Sequence, residues 1–182
     1  MAATALALTA LTGTSHADPE GSRQHFTLRS QELGLTGPQA DALQNRMDSY
    51  LVKNGGVQVE INKIRFSNGN SIVVPLPGEK KVRHITAQTK SAKSASVVIQ
   101  CDKGYFCGFK YTHYTGAQWN LYNCRDYRPP AEWVYGSWYS NETGGVQVLF
   151  KDKAGVIRWV SDPSPTFDDE AAWDWVGFVK PC

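Results

Sequence analysis

Four cysteines, four histidines and one run of carboxylates are the side chains whose chemistry could define a function. Cys101, Cys107, Cys124 and Cys182 include no C-x-x-C pair and meet no second His/Cys pair, so zinc-ligand spacing fails. Paired as two disulfides they would need an oxidising compartment, with three pairings open. The histidines (His16, His25, His84, His113) are scattered, and H-E-x-x-H, G-x-S-x-G and phosphate-loop patterns are missing. With every thiol paired there is no thiol nucleophile, so the chain reads as a non-enzyme without a cofactor, and His113 as a turn residue rather than a base. Asp168, Asp169, Glu170 and Asp174 could offer oxygen ligands to a hard cation. Consecutive carboxylates opening a helix more often offset its dipole, and no metal site is assigned.

The aromatic side chains admit a different chemistry. Trp133, Tyr135, Trp138 and Tyr139 alternate loosely, and Trp119, Trp159, Trp173 and Trp175 add flat faces. Such rings either fill the middle of a small sandwich or present surfaces on which sugars stack. Trp133 and Trp138 are the candidates for a glycan-facing role. A net charge of +2 gives no case for a nucleic-acid partner. Lys80, Lys81, Arg83, Lys90 and Lys93 make the stretch from 79 to 93 basic. It reads as a solvated linker, or more sharply as a processing site or a contact with acidic cell-wall polymers.

The elements that must position these groups follow from composition and periodicity. Phe26, Tyr50 and Phe66 are the only aromatics before residue 98, and the other 18 of the 21 follow it. That shift marks a boundary near residues 90–98. At the amino terminus, residues 2–14 (AATALALTALTGT) are apolar but too short to span a bilayer, and Ser15-His16-Ala17 offers a small-x-small cleavage site. Residues 1–17 therefore read as a secretory signal, although no Lys or Arg precedes the apolar run. Residues 18–35 are polar and unpatterned, a linker. In 36–78 a helix is signalled by Thr36 as cap, Pro38 in the first turn and Gly55-Gly56 as the stop, with Ala40, Leu43, Met47, Tyr50 and Leu51 on one face. Two strand-like runs, VQVEINKIRF and SIVVPLP, then flank an Asn68-Gly69 turn. The first carries a bulge near Asn62-Lys63, and Pro75 and Pro77 make the second an edge or a strand end. After the basic linker 79–97, residues 98–182 show short apolar-aromatic runs broken by Gly, Pro and Asn: VVIQC, YFCGFKY, WNLYNC, WVYGSWYS, VQVLFK and VIRWVS. This is an all-β pattern, a sandwich or barrel, with Lys153-Ala154-Gly155 as a tight hairpin turn. The tail TFDDEAAWDWVGFV reads as a short helix capped by Thr166.

Phe109-x-x-x-x-Tyr114-x-Gly116 has the spacing of a crystallin-type Greek-key signature, in which an aromatic folds over a hairpin corner and glycine takes a positive φ. Together with Cys101-x-x-Gly104-x-x-Cys107 before it and Cys124 after it, this stretch resembles secreted actinobacterial proteins of the metalloproteinase-inhibitor family with a βγ-crystallin-like fold. The resemblance spans roughly residues 36–182, strongest over 98–124 and thin after 140. It implies a mainly β, two-motif Greek-key β-sandwich preceded by a helix-plus-hairpin extension, with Cys101–Cys107 and Cys124–Cys182 as the disulfides. Each bridge would contribute about 2–4 kcal/mol, the longer loop nearer the top. Three departures are visible. The characterised inhibitor's blocking loop is tied by its own small disulfide, and no cysteine lies between Cys124 and Cys182. A second signature ending at Gly155 would need an aromatic where Val148 stands. The calcium pattern expected around Ser137 is not met by Glu132-Trp133-Val134-Tyr135-Gly136-Ser137.

What the resemblance implies for function is a secreted, monomeric, stoichiometric inhibitor of an extracellular peptidase, metallopeptidases favoured. The other readings are a cell-wall or glycan-binding module and, by fold analogy alone, a crystallin-like antimicrobial protein.

Overall fold

A computed structural model describes residues 19–85, 100–130 and 132–182, with side chains from Phe26 onward. The signal-like segment 1–17, His16, the His25 side chain, Lys90, Lys93 and most of the run VVIQC lie outside the described residues.

Among the described residues two helices, α1 (Pro19–Glu32) and α2 (Gly37–Asn54), are followed by ten strands. They are β1 (Val57–Glu60), β2 (Lys63–Arg65), β3 (Ser71–Val73), β4 (Phe106–Tyr111), β5 (Thr115–Leu121), β6 (Tyr135–Ser140), β7 (Leu149–Lys151), β8 (Ile157–Val160), β9 (Thr166–Ala172) and β10 (Phe178–Lys180). A seven-stranded sheet runs β1-β2-β3-β5-β4-β6-β9, and a three-stranded sheet runs β10-β7-β8. Every strand pairing is antiparallel. The fold is mainly β, as the sequence pattern predicts, and the two sheets share one core.

The helix over 37–54 forms where its signals lie. The Gln39 carboxamide accepts the Thr36 N–H at 2.9 Å, and Gly55, at φ 70°, ends it by donating to Leu51. Leu43, Met47 and Tyr50 are buried on the expected face. Residues 18–35, expected to be a linker, instead contain α1. Its end is a Schellman turn: Gly34 sits at φ 74°, Leu35 N–H bonds to the Ser30 carbonyl, and Gly34 N–H bonds to Gln31. Phe26 packs against the core and Leu33 is 2% exposed, so docking supplies what the helix's weak amphipathicity does not.

Three further expectations change. The run VQVEINKIRF is two strands rather than one bulged strand: the chain turns at Ile61-Asn62, Glu60 faces Lys63, and the register slips between Gln58 and Glu60. Asn62 braces that turn, its amide donating to the carbonyls of Val74 and Arg83, both at 2.9 Å. The tail from Thr166 is β9 rather than a helix, because the open edge of β6 offers it a full ladder of backbone partners, Tyr139 facing Phe167 and Ser140 facing Thr166. The composition change near residues 90–98 is also no break in the sheet, since β3 pairs with β5 and is an inner strand that stops before Pro75. Ser71, Asn120 and Gln118, buried on that seam, are tied in series: Asn120 donates to Ser71 Oγ and Gln118 to Asn120 Oδ1.

Aromatic rings join the sheets. Phe150 of the small sheet lies 5.4 Å from Trp138 and 6.0 Å from Phe106, centroid to centroid, with Trp173 at 6.3 Å. Gly136 makes room for this packing. A Cβ there would sit 2.2 Å from the Phe109 carbonyl oxygen and 2.3 Å from Trp173 Nε1, which donates to that same oxygen.

Candidate functional site

The corner predicted at Phe109, Tyr114 and Gly116 is built at the β4–β5 hairpin. Phe109 is 2% exposed and meets Tyr114 edge to face at 5.5 Å. His113 and Tyr114 stand at φ 56° and 58° and Gly116 at φ 78°, a run of left-handed residues that folds the corner over. His113 stands in this turn. Its ring lies exposed beside Asp169 and Glu170, at 3.5 and 3.6 Å. Ser137, which the sequence did not single out for this role, closes the corner. Its buried hydroxyl accepts the Tyr114 N–H and donates to the Tyr111 carbonyl, both at 2.8 Å. Burial first, and then Asp169 and Asp168, push the Tyr114 phenol up to about 12.

Both disulfides form as the resemblance implies, Cys101–Cys107 and Cys124–Cys182, with Cα–Cα distances of 5.8 and 5.3 Å. Among the described residues no group of three His, Cys, Asp or Glu side chains could hold a metal ion, and no helix is long and apolar enough to cross a membrane.

Trp133 and Trp138, the glycan-facing candidates, are corrected by the structure: they are 4% and 1% exposed. Trp133 packs edge-on against Trp119 and Trp173, and Trp138 stacks with Phe106, so their faces are spent on the core. Trp119 and Trp173 are buried too; Trp159 at 42% is the most exposed ring of the tryptophans.

What projects instead is the β7–β8 hairpin. Asp152 Oδ1 accepts the N–H groups of Ala154 and Val156 at 2.9 and 3.0 Å, and Arg158 Nε donates to Oδ2 at 2.7 Å. Those bonds, Arg158 foremost, hold the Asp152 carboxyl below the usual carboxylate range. Gly155 takes φ 83° at the tip, so Lys153-Ala154-Gly155 turns the chain as predicted. Gly177 pins the base: its N–H bonds to the Lys151 carbonyl, and a Cβ there would lie 2.4 Å from the Asp152 carbonyl oxygen. Beyond this rigid turn Val156, Ile157 and Val160 are 49%, 49% and 41% exposed. The aspartate at the first turn position followed by glycine was the signal for that rigidity. Comparison with protein families, curated proteins and solved structures finds no match to this chain.

Proposed function

We propose that the chain is a secreted, disulfide-braced protein that blocks an extracellular peptidase stoichiometrically, metallopeptidases being favoured by the resemblance over 36–182. The observation that carries this reading is the β7–β8 hairpin: a short, exposed, apolar-flanked loop, fixed by Asp152, Arg158 and Gly177. A peptidase cleft accepts extended backbone, and a loop already held in its bound shape spares the ordering cost of binding. Rigid complexes of this kind bury about 800 Å² per partner, within reach of one hairpin and its neighbours.

A βγ-crystallin-like Greek key would give that loop its scaffold, and strand exchange supports it. The first half supplies β4, β5 and β6 to the large sheet while its Tyr127 bridges to Val179 of β10. The second half supplies β7, β8 and β10 to the small sheet and returns β9 to the large one. The folded corner at Phe109, Tyr114, Gly116 and Ser137 supports it further. Export rests on the two disulfides, which belong to an oxidising compartment. Assayed in excess against secreted metallo-, serine and cysteine peptidases, the purified protein is expected to titrate at least one to zero activity at one equivalent. If none is slowed, the reading is wrong.

A further inference from the structure

A cleft of about 710 Å³ opens between α2 and the β4–β5 hairpin, on the side of the molecule where the extension meets the first motif. Arg46, Lys53, Lys80 and Lys110 line it against only two carboxylates, Glu79 and Glu132. Glu79 is already engaged by Arg83 at 2.7 Å. Glu132 is shared, bonded to Lys53 from α2 and 3.7 Å from Lys110 of β4, so one negative charge faces two positive ones. Arg46 leans on a neutral group, the Pro75 carbonyl, at 3.4 Å. Lys80 is exposed and its ammonium has no carboxylate partner among the described residues. Four cations less the single shared carboxylate leave an excess of three positive charges.

The cleft is held open by the backbone. Gly116 N–H donates to the Lys80 carbonyl at 2.7 Å, fastening the segment after β3 to the hairpin, and a Cβ at Gly116 would lie 2.6 Å from the Tyr111 ring. Its apolar members are sealed, Val74 at 0% and Ala117 at 4% exposed, so they offer no pocket for an apolar side chain. What remains accessible is mainly cationic, with Glu132 and the ion-paired Glu79 beside the Ser49 hydroxyl and the Tyr111 ring, 54% exposed. Such a surface suits a hydroxyl-rich ring carrying an oxyanion, with ring stacking and charge acting together.

We propose that this cleft binds an acidic sugar, one bearing a carboxylate or a phosphate. The site is independent of the peptidase reading and lies on different elements. The test is calorimetric and NMR titration of the purified protein at low salt with trigalacturonate, with a glycerol-phosphate oligomer and with neutral maltotriose. At least one acidic probe is expected to bind and to shift the amides of Ser49, Lys80 and Gly116, with maltotriose at least tenfold weaker. Response to trigalacturonate alone assigns a uronate ligand; response to the phosphate oligomer alone assigns a phosphorylated polymer. R46Q/K80Q, both surface positions, is expected to lose at least tenfold in affinity, and K103Q, the loss of one positive charge outside the cleft, to bind as the unaltered protein does. The proposal is overturned if neither acidic probe binds, if maltotriose binds equally, if R46Q/K80Q binds normally, or if K103Q loses as much.

Discussion

Ser137 concentrates more structure in one hydroxyl than any other polar group of the corner, since it satisfies an N–H and a carbonyl from opposite arms of the β4–β5 turn. Ser137→Ala leaves the Tyr114 N–H and the Tyr111 carbonyl without that partner, and is expected to cost about 1–3 kcal/mol in denaturant unfolding; an unchanged midpoint would refute the assignment. Two titrating groups act in opposite directions. Burial raises the Glu142 carboxyl from 4.5 to about 7, so its folded-state pKa lies above the unfolded one. The penalty is absent below the unfolded value and grows as pH rises through 4.5 toward 7. Burial lowers His84 from 6.5, so the unfolded chain takes up the proton first and stability falls as pH drops below that value. Glu142→Gln is therefore expected to stabilise the protein at pH 8, by about 1 kcal/mol after solvent screening, and to leave it unchanged at pH 4. Thermal midpoints at the two pH values check this, and an equal shift at both would contradict it. Of these residues only the corner was legible, because Phe109, Tyr114 and Gly116 are set by local spacing. Ser137 and the burial of Glu142 depend on contacts made across the sheet.

At the level of elements, the β7–β8 hairpin is stiff because its base and its tip are both fixed. Gly177→Ala forces a Cβ against the backbone of Asp152 and Lys153, at 2.4 and 2.5 Å, and main chain cannot step aside as a flexible side chain would. It is expected to cost about 1–3 kcal/mol and to raise the inhibition constant measured for wild-type protein; a variant as stable and as inhibitory as wild type would show the base to be slack. Helix α2 and the Lys153-Ala154-Gly155 turn were readable because their caps, faces and glycines are adjacent in sequence. Helix α1 was not, since its residues carry little amphipathic pattern and the contacts that seat it, Phe26 on the core and the buried Leu33 just past its end, are made with residues distant in sequence. Strand β9 was misread for a related reason. Thr166 and its carboxylates carry a helix-start pattern, and the exposed edge of β6 outweighs that local preference.

Over the whole molecule the controlling feature is that the extension is part of the sandwich's sheet. Ile64, Ile72 and Val74 share a core with Trp119, Trp138 and Phe150, and neither disulfide crosses from one side of the basic stretch to the other. A single proteolytic nick within residues 86–99 is therefore expected to leave one particle by size-exclusion, under reducing conditions as well. A carboxy-terminal piece beginning at residue 98 on its own, lacking β3 beside β5, is expected to lose its near-ultraviolet tryptophan signal. Separation of the nicked halves without denaturant would contradict the continuous sheet. Composition placed a boundary there because the aromatic residues crowd into the second part of the chain, whereas the sheet follows backbone pairing, and β3 before that line pairs with β5 after it. The most direct measurement of the functional reading is a titration of a sensitive extracellular peptidase with the protein and with Ile157→Asp, a change at a half-exposed hairpin position. Complete inhibition at one equivalent is expected of the unaltered protein, and at least tenfold weaker inhibition of Ile157→Asp at an unchanged thermal midpoint. Equal inhibition by the two, or none by either across the peptidase panel, would contradict that reading.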